Sequence, residues 1–150
     1  MKKLFLILSG IILIGTTQAF ADKIKDIDKE AAASFSRDFA NAKNVTWVKQ
    51  KNFVKATFTL NDQVLYAYYS NGGGELLAIV RNILTDRLPL SLMTTLKRNY
   101  SGYWITNLFE MVSENQTTYY ATLESSEETL ILKSYGFQEW TVYKKTKKGG

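Results

Sequence analysis

The feature that most constrains this chain is a change of hydrophobic period, made twice. Ile24, Ile27, Ala31, Phe35 and Phe39 recur every three or four residues, with Asp28, Lys29, Ser36 and Arg37 on the other side, which predicts an amphipathic helix over about 26–39. Asn41 and Asn44 mark its end, and apolar residues then alternate through four short runs, 45–50, 53–60, 63–70 and 75–82. Lys51-Asn52, Asn61-Asp62 and Asn71-Gly72-Gly73-Gly74 separate them, giving three hairpins in succession. Pro89, the only proline, is placed at the first position of a second helix, with Leu88, Leu92, Leu96 and Tyr100 on one face and Ser101-Gly102 at its end. Four further runs follow, at about 103–112, 117–124, 128–134 and 139–144. This order predicts an α+β fold: two repeats, each a helix plus a four-stranded antiparallel sheet, forming one sheet of about eight strands with the helices on one face. Residues 33–39 lie over 94–100 with an Arg and the final aromatic in register, and 57–60 lie over 120–123 in their alternation. An internal duplication is one reading of this likeness, and two unrelated halves of similar patterning the other.

Upstream of the first helix, Lys2 and Lys3 precede an apolar run over 4–15, and Ala19-Phe20-Ala21 leads into charge at Asp22. That arrangement predicts a secretory signal peptide, residues 1–21, cut after Ala21. The apolar run falls short of the ~20 residues that a spanning helix needs, so an uncleaved anchor is the weaker alternative and no stable membrane anchor is expected after cleavage. The remaining chain, 22–150, divides into repeat one at about 26–82, repeat two at about 88–144 and a basic tail at 144–150. Without Lys2 and Lys3, the 19 Lys plus Arg become 17 against 14 acidic residues; Lys144, Lys145, Lys147 and Lys148 lie in the tail, so the body is close to neutral. A secreted domain without Cys fits a bacterial periplasm or exterior better than a eukaryotic one, where disulfides are the rule at this size. Asn44-Val45-Thr46, Asn99-Tyr100-Ser101 and Asn115-Gln116-Thr117 match the glycosylation triplet, which carries little meaning in such a source.

The chemistry on offer is thin. With no Cys and no His, a disulfide scaffold, a thiolate metal site, a Cys nucleophile and a His general base are all excluded. Gly72-Gly73-Gly74 lacks the Lys and Ser/Thr of a phosphate loop and lies between two strands, so it reads as a turn. Asp26, Asp28 and Glu30 alternate like calcium ligands but lack the loop glycine and distal Glu; they read as acidic residues favoured at a helix N-terminus. Glu124, Glu127 and Glu128 flank a Ser-Ser turn and read as solvated, and no Ser stands three residues before a Lys. No catalytic residue, no metal site and no cofactor is expected, and the chain is read as a non-enzyme.

A two-residue turn fixes which residues oppose each other across a hairpin. With Asn61-Asp62 as the turn, Phe58 opposes Leu65, Ala56 opposes Ala67 and Val54 opposes Tyr69; with Lys51-Asn52 as the turn, Trp47 opposes Ala56. Those residues form the helix-facing side and leave Val48, Lys55, Thr57, Tyr66 and Tyr68 on the other, joined by Leu77 and Ile79. In the second half, Trp104, Leu108, Tyr119, Ala121, Leu123, Leu130 and Leu132 face inward, and Phe109, Met111, Tyr120 and Ile131 outward. Trp47, Trp104 and Trp140 are all assigned to the core. The outward face is thus expected to be bare and rich in aromatics, the composition of an interaction surface. Tyr66, Tyr68, Phe109 and Tyr120 would anchor a partner there, with Lys55 at the rim, and the partner expected is another exported protein rather than a nucleic acid. The bland alternative is that Tyr and β-branched residues simply suit strands. A function of a different class is binding to an anionic surface or polymer through the Lys-rich tail, whose bland reading is a solvated terminus.

One stretch carries a resemblance. Phe39-Ala40-Asn41-Ala42-Lys43-Asn44-Val45-Thr46-Trp47, followed by an alternating strand, a short turn, a Tyr-rich strand and a Gly-rich turn, resembles the PepSY-like family of secreted bacterial domains, also described as beta-lactamase-inhibitor-like. The similarity is good over 28–82 and looser over 88–143. It implies an export signal, a repeated helix-plus-antiparallel-sheet unit and, through the relatives of that fold, protein binding or protease inhibition. No catalytic motif comes with it. The second half departs from the pattern where Tyr103-Trp104-Ile105-Thr106 stands in place of Lys43 to Trp47.

Overall fold

A computed structural model describes residues 28–149. The expected signal peptide and cleavage site, and the residues before Asp28 assigned to the first helix, lie outside the described residues. The elements run α1 (Lys29–Asp38), β1 (Lys43–Lys49), β2 (Phe53–Leu60), β3 (Gln63–Ser70), β4 (Leu76–Asn82), a 3-10 turn (Thr85–Arg87), α2 (Leu90–Asn99), β5 (Trp104–Ser113), β6 (Gln116–Glu124), β7 (Glu128–Tyr135) and β8 (Thr141–Lys147). The strands form one eight-stranded sheet in sequence order, β1 to β8, and the fold is the expected α+β one. Contacts divide the chain into two compact units at Ile79 and Val80, inside β4.

In the first unit, Asp28 caps α1 by accepting hydrogen bonds from the amides of Glu30 and Ala31, which would otherwise lack partners at a helix start. Its second carboxylate oxygen accepts from the amide of Gly72 in the β3–β4 turn. Asp28 therefore has the structural role read for the acidic residues at this helix start, and the Gly-rich stretch is a turn, as read. Gly74 needs to be glycine: its φ is +61°, and a methyl group there would lie 2.5 Å from the Glu30 carbonyl oxygen. The buried side of α1, Ala31 and Phe35, packs on Val54, Ala56, Phe58, Ala67 and Tyr69, with Trp47 and Leu65 partly buried beside them. Phe35 is the hub, its ring centroid 4.9 Å from Phe58, 5.2 Å from Trp47 and 6.5 Å from Tyr69. All four predicted pairings are present, Phe58 with Leu65, Ala56 with Ala67, Val54 with Tyr69 and Trp47 with Ala56. Asn61 and Asp62 both have positive φ, the mirror-image turn that suits the twist of a two-residue hairpin.

In the second unit, α2 buries Leu92 and Leu96 against Leu108, Ala121, Leu123, Leu130, Leu132 and Trp140, with Tyr119 packed at the margin. Pro89 caps the helix rather than opening it, one position earlier than predicted. The Trp140 indole N–H donates to the Leu92 carbonyl oxygen at 3.0 Å, so this tryptophan belongs to the core, as read.

Trp104 does not: it is 70% exposed. The cause is a bulge. Leu108 pairs with Ala121 and Asn107 with Thr122, but Ile105, not Thr106, pairs with Leu123 and Trp104 faces Glu124. One extra residue between Ile105 and Asn107 reverses the alternation at the start of β5, turning Ile105 toward the helix side and Trp104 away from it. The first unit has the same irregularity at the same place, between Lys43 and Thr46, with Asn44 at positive φ. There the tryptophan follows the bulge and faces the helix; in the second unit it precedes the bulge.

The basic tail is not a free terminus. Residues 144–147 belong to β8, Lys145 pairs with Glu128 at 2.6 Å and Lys148 with Glu124 at 3.0 Å. Glu124 and Glu128, read as merely solvated, are thus partners of that strand, and Glu128 also accepts from the Tyr103 hydroxyl at 2.6 Å. These partners hold both carboxyls below the usual range, Lys148 first for Glu124 and Lys145 first for Glu128.

Gly74→Ala is expected to destabilise the protein by about 1–3 kcal/mol in urea unfolding, because strained φ and a backbone clash add. Gly72→Ala, where no atom lies within 4 Å, should cost less.

Candidate binding surface

The side of the sheet turned away from each helix is built by the residues that alternate with the core set. In the first unit it carries Phe53, Lys55, Thr57, Tyr66 and Tyr68, because Lys55 pairs with Tyr68 and Thr57 with Tyr66. The Lys55 ammonium lies 5.6 Å from the centre of the Tyr66 ring, a cation–π distance. Desolvation pulls its pKa below the usual lysine range. Phe53 meets Tyr68 edge-on at 5.3 Å. The Ser70 amide donates to the Glu75 carbonyl across the β3–β4 turn.

In the second unit, Phe109 pairs with Tyr120 and Tyr120 with Lys133. Phe109 and Tyr120 stack at 4.9 Å with 16° between their planes, and Tyr143 meets Tyr120 edge-on at 6.1 Å. Met111 and Thr118 are buried on the same side. Trp104 adds an exposed ring near its end.

The expectation of a bare face is corrected here. Tyr66 and Lys55 are half-buried, but Tyr68 and Tyr120 are each 1% exposed and Phe109 6%. Among the described residues, Phe53 edge-on to Tyr68 and Phe109 stacked on Tyr120 contribute to that burial, each such ring contact being worth about 0.5–1.5 kcal/mol beyond area burial. That leaves a polar cost. The hydroxyls of Tyr68 and Tyr120, and of Tyr69 on the helix side, are buried with no hydrogen-bond partner among the described residues, and an orphaned buried donor costs about 1–3 kcal/mol. Desolvation raises all three phenols above the usual tyrosine range.

Sequence reading missed Lys133, Tyr135, Tyr143 and Trp104 on this side. For Trp104 the reason is a bulge in β5, which period-two counting does not see; for Tyr143, alternation from Trp140, assigned to the core, points to it directly. For Lys133 and Tyr135, the alternation that placed Ile131 outward points to them directly.

Elsewhere the second unit has a pocket of about 350 Å³ where α2 meets the start of β5, lined by Met93, Leu96, Lys97, Tyr100, Tyr103 and Ile105 among others. Among the described residues, no group of three or more Asp or Glu side chains is placed to hold a metal ion.

No protein-family profile and no curated protein matches this chain. Its fold does match solved structures. A DUF2874 family protein from Bacteroides uniformis superposes with a TM-score of 0.71 at 12% identity, covering 81% of this chain and 90% of that one. A BLIP-like protein from Bacteroides fragilis gives 0.68 at 11%, covering 81% and 86%. A protein provisionally assigned to the periplasm, from Bacteroides eggerthii, gives 0.69 at 11%, covering 79% and 87%. The fold is beta-lactamase-inhibitor-like. At these identities the likeness concerns the fold.

The buried phenols set an alkaline limit. Their folded pKa values lie above the unfolded value of about 10, so the stability linked to them is fully present below about pH 10 and is lost as pH rises toward the folded values. Absorbance at 295 nm should show these tyrosines ionising together with unfolding rather than before it. Tyr68→Phe and Tyr120→Phe should each shift the alkaline unfolding midpoint upward.

Proposed function

We propose that this protein is an exported, non-catalytic binding module of PepSY-like type, working in the bacterial periplasm or exterior, and that its partner is another exported protein, such as an enzyme held inhibited, docked on the strand surface that each unit turns away from its own helix. Each unit contributes a patch: Lys55, Tyr66 and Tyr68 in the first, Phe109 and Tyr120 in the second. One observation carries the reading. A sheet side serving only solubility would carry Thr and charge, and one serving only stability would carry Phe in place of Tyr68 and Tyr120, whose buried hydroxyls have no partner among the described residues. Support comes from the amino-terminal export pattern, from the BLIP-like and provisionally periplasmic proteins that share the fold, and from the absence, among the described residues, of a helix long and apolar enough to cross a membrane. Binding through the lysine tail is the weaker reading, because Lys145 and Lys148 are engaged by Glu128 and Glu124.

The test is capture from the periplasmic fraction of the source bacterium with the mature chain, followed by affinity measurement on the captured protein. Tyr66→Ala combined with Lys55→Ala should weaken binding at least about tenfold, as loss of interface anchors does. Binding should change little between low and high salt, and Lys144→Gln with Lys147→Gln should leave it intact. Steep salt dependence, or loss in the lysine pair only, would move the function to the β8 edge.

A further inference from the structure

Resting on that docking reading, the structure assigns a carboxylate-binding hot spot to the second unit, centred on Lys133 and taking an aspartate or glutamate side chain of the docked protein. Lys133 lies on β7, flanked by β6 and β8, on the side away from α2, and only 9% of it is exposed. A lysine at that depth ordinarily has a carboxylate beside it, yet among the described residues no carboxylate and no hydrogen-bond acceptor engages its ammonium. It sits instead over three tyrosine rings, 4.3 Å from the centre of Tyr135, 5.6 Å from Tyr120 and 5.7 Å from Tyr143.

Of the acidic residues on the neighbouring strands, Glu124 is engaged by Lys148, while Glu110 and Glu128 alternate onto the helix side, where Arg81 engages the first and Lys145 and Tyr103 the second. The Tyr120 hydroxyl, buried and without a partner among the described residues, is a donor in the same cluster. An ammonium held by π faces, with phenol donors around it and no negative charge of its own, is complementary to one incoming carboxylate. The pair would be desolvated on docking, the circumstance in which an interfacial ion pair contributes most.

Two-dimensional NMR on the labelled mature chain tests this, with an acetylated hexaglutamate peptide as probe and hexaglutamine and sodium acetate as controls. Saturable shifts are expected at the Lys133 side chain and at the Tyr120, Tyr135 and Tyr143 rings with hexaglutamate. Hexaglutamine should give none, and acetate at matched carboxylate concentration only weak, non-saturating ones. Lys133→Met should weaken hexaglutamate at least about tenfold, Lys133→Arg should retain it, and Lys147→Met should leave it unchanged. The wild-type shift map decides the matter even if Lys133→Met fails to fold. Four results would overturn the assignment: no saturable shift at Lys133, equal response to hexaglutamine, unchanged affinity in folded Lys133→Met, or equal saturation by acetate, which would make this a site for free small carboxylates. A protein captured through Tyr66 and Lys55 with no peptide response at Lys133 removes this inference and leaves the docking reading standing. A peptide response with no captured protein does the reverse.

Discussion

Among the described residues there is one helix for every four strands, and this is the constraint from which the other features of each unit follow. A ten-residue helix offers one apolar stripe, and a strand alternates its side chains between two sides, so a single helix covers one side only. Phe35 does this in the first unit by meeting rings from three different strands; Leu92 and Leu96 do it in the second, with Trp140 tying the helix backbone to the sheet. The uncovered side must then be charged, or exclude water by its own means. Here tyrosines, a stacked phenylalanine and lysine stems take the second course, and the hydroxyls this strands among the described residues are the clearest departure from a sequence tuned for stability alone.

The sequence made the regular part of this architecture legible, because hydrophobic period and two-residue turns are local. The hairpin at Asn61-Asp62 propagates a register along two whole strands, and every pairing inferred from it is present. Where a strand carries an extra residue, the inference fails from that point outward. Thr106 shows how: its insertion sends Trp104 to the side opposite the one that uninterrupted alternation assigns. Residues on the side away from each helix could be placed there by counting, but their burial could not, since contacts between rings of neighbouring strands contribute to it and no single strand's pattern shows them. Lys133 illustrates the same limit, for its charge alone suggests a solvated position, and only the three surrounding rings explain its depth.

The lysines near the carboxyl end take on another meaning once their place is known. β1 and β8 are the outer strands of the sheet, and both are lysine-rich, with Lys43 and Lys49 on one and Lys144, Lys145 and Lys147 on the other. An outer strand presents unpaired backbone groups to any passing chain, and charged side chains discourage such pairing. In this position the tail finishes the sheet and protects it, with Glu124 and Glu128 drawing two of its ammonium groups inward.

Asp28 joins two events that most proteins keep separate. One carboxylate oxygen ends a helix locally, while the other reaches a turn 44 residues further along the chain. Because one carboxylate serves both, a rotation of the Asp28 side chain releases the start of α1 and the β3–β4 turn together. Backbone N–H donors, that of Gly72 foremost, hold this carboxyl below its ordinary range. The contribution of the charged group is therefore complete above the unfolded value of about 4 and lost only in stronger acid, so this latch stays closed in mildly acidic conditions.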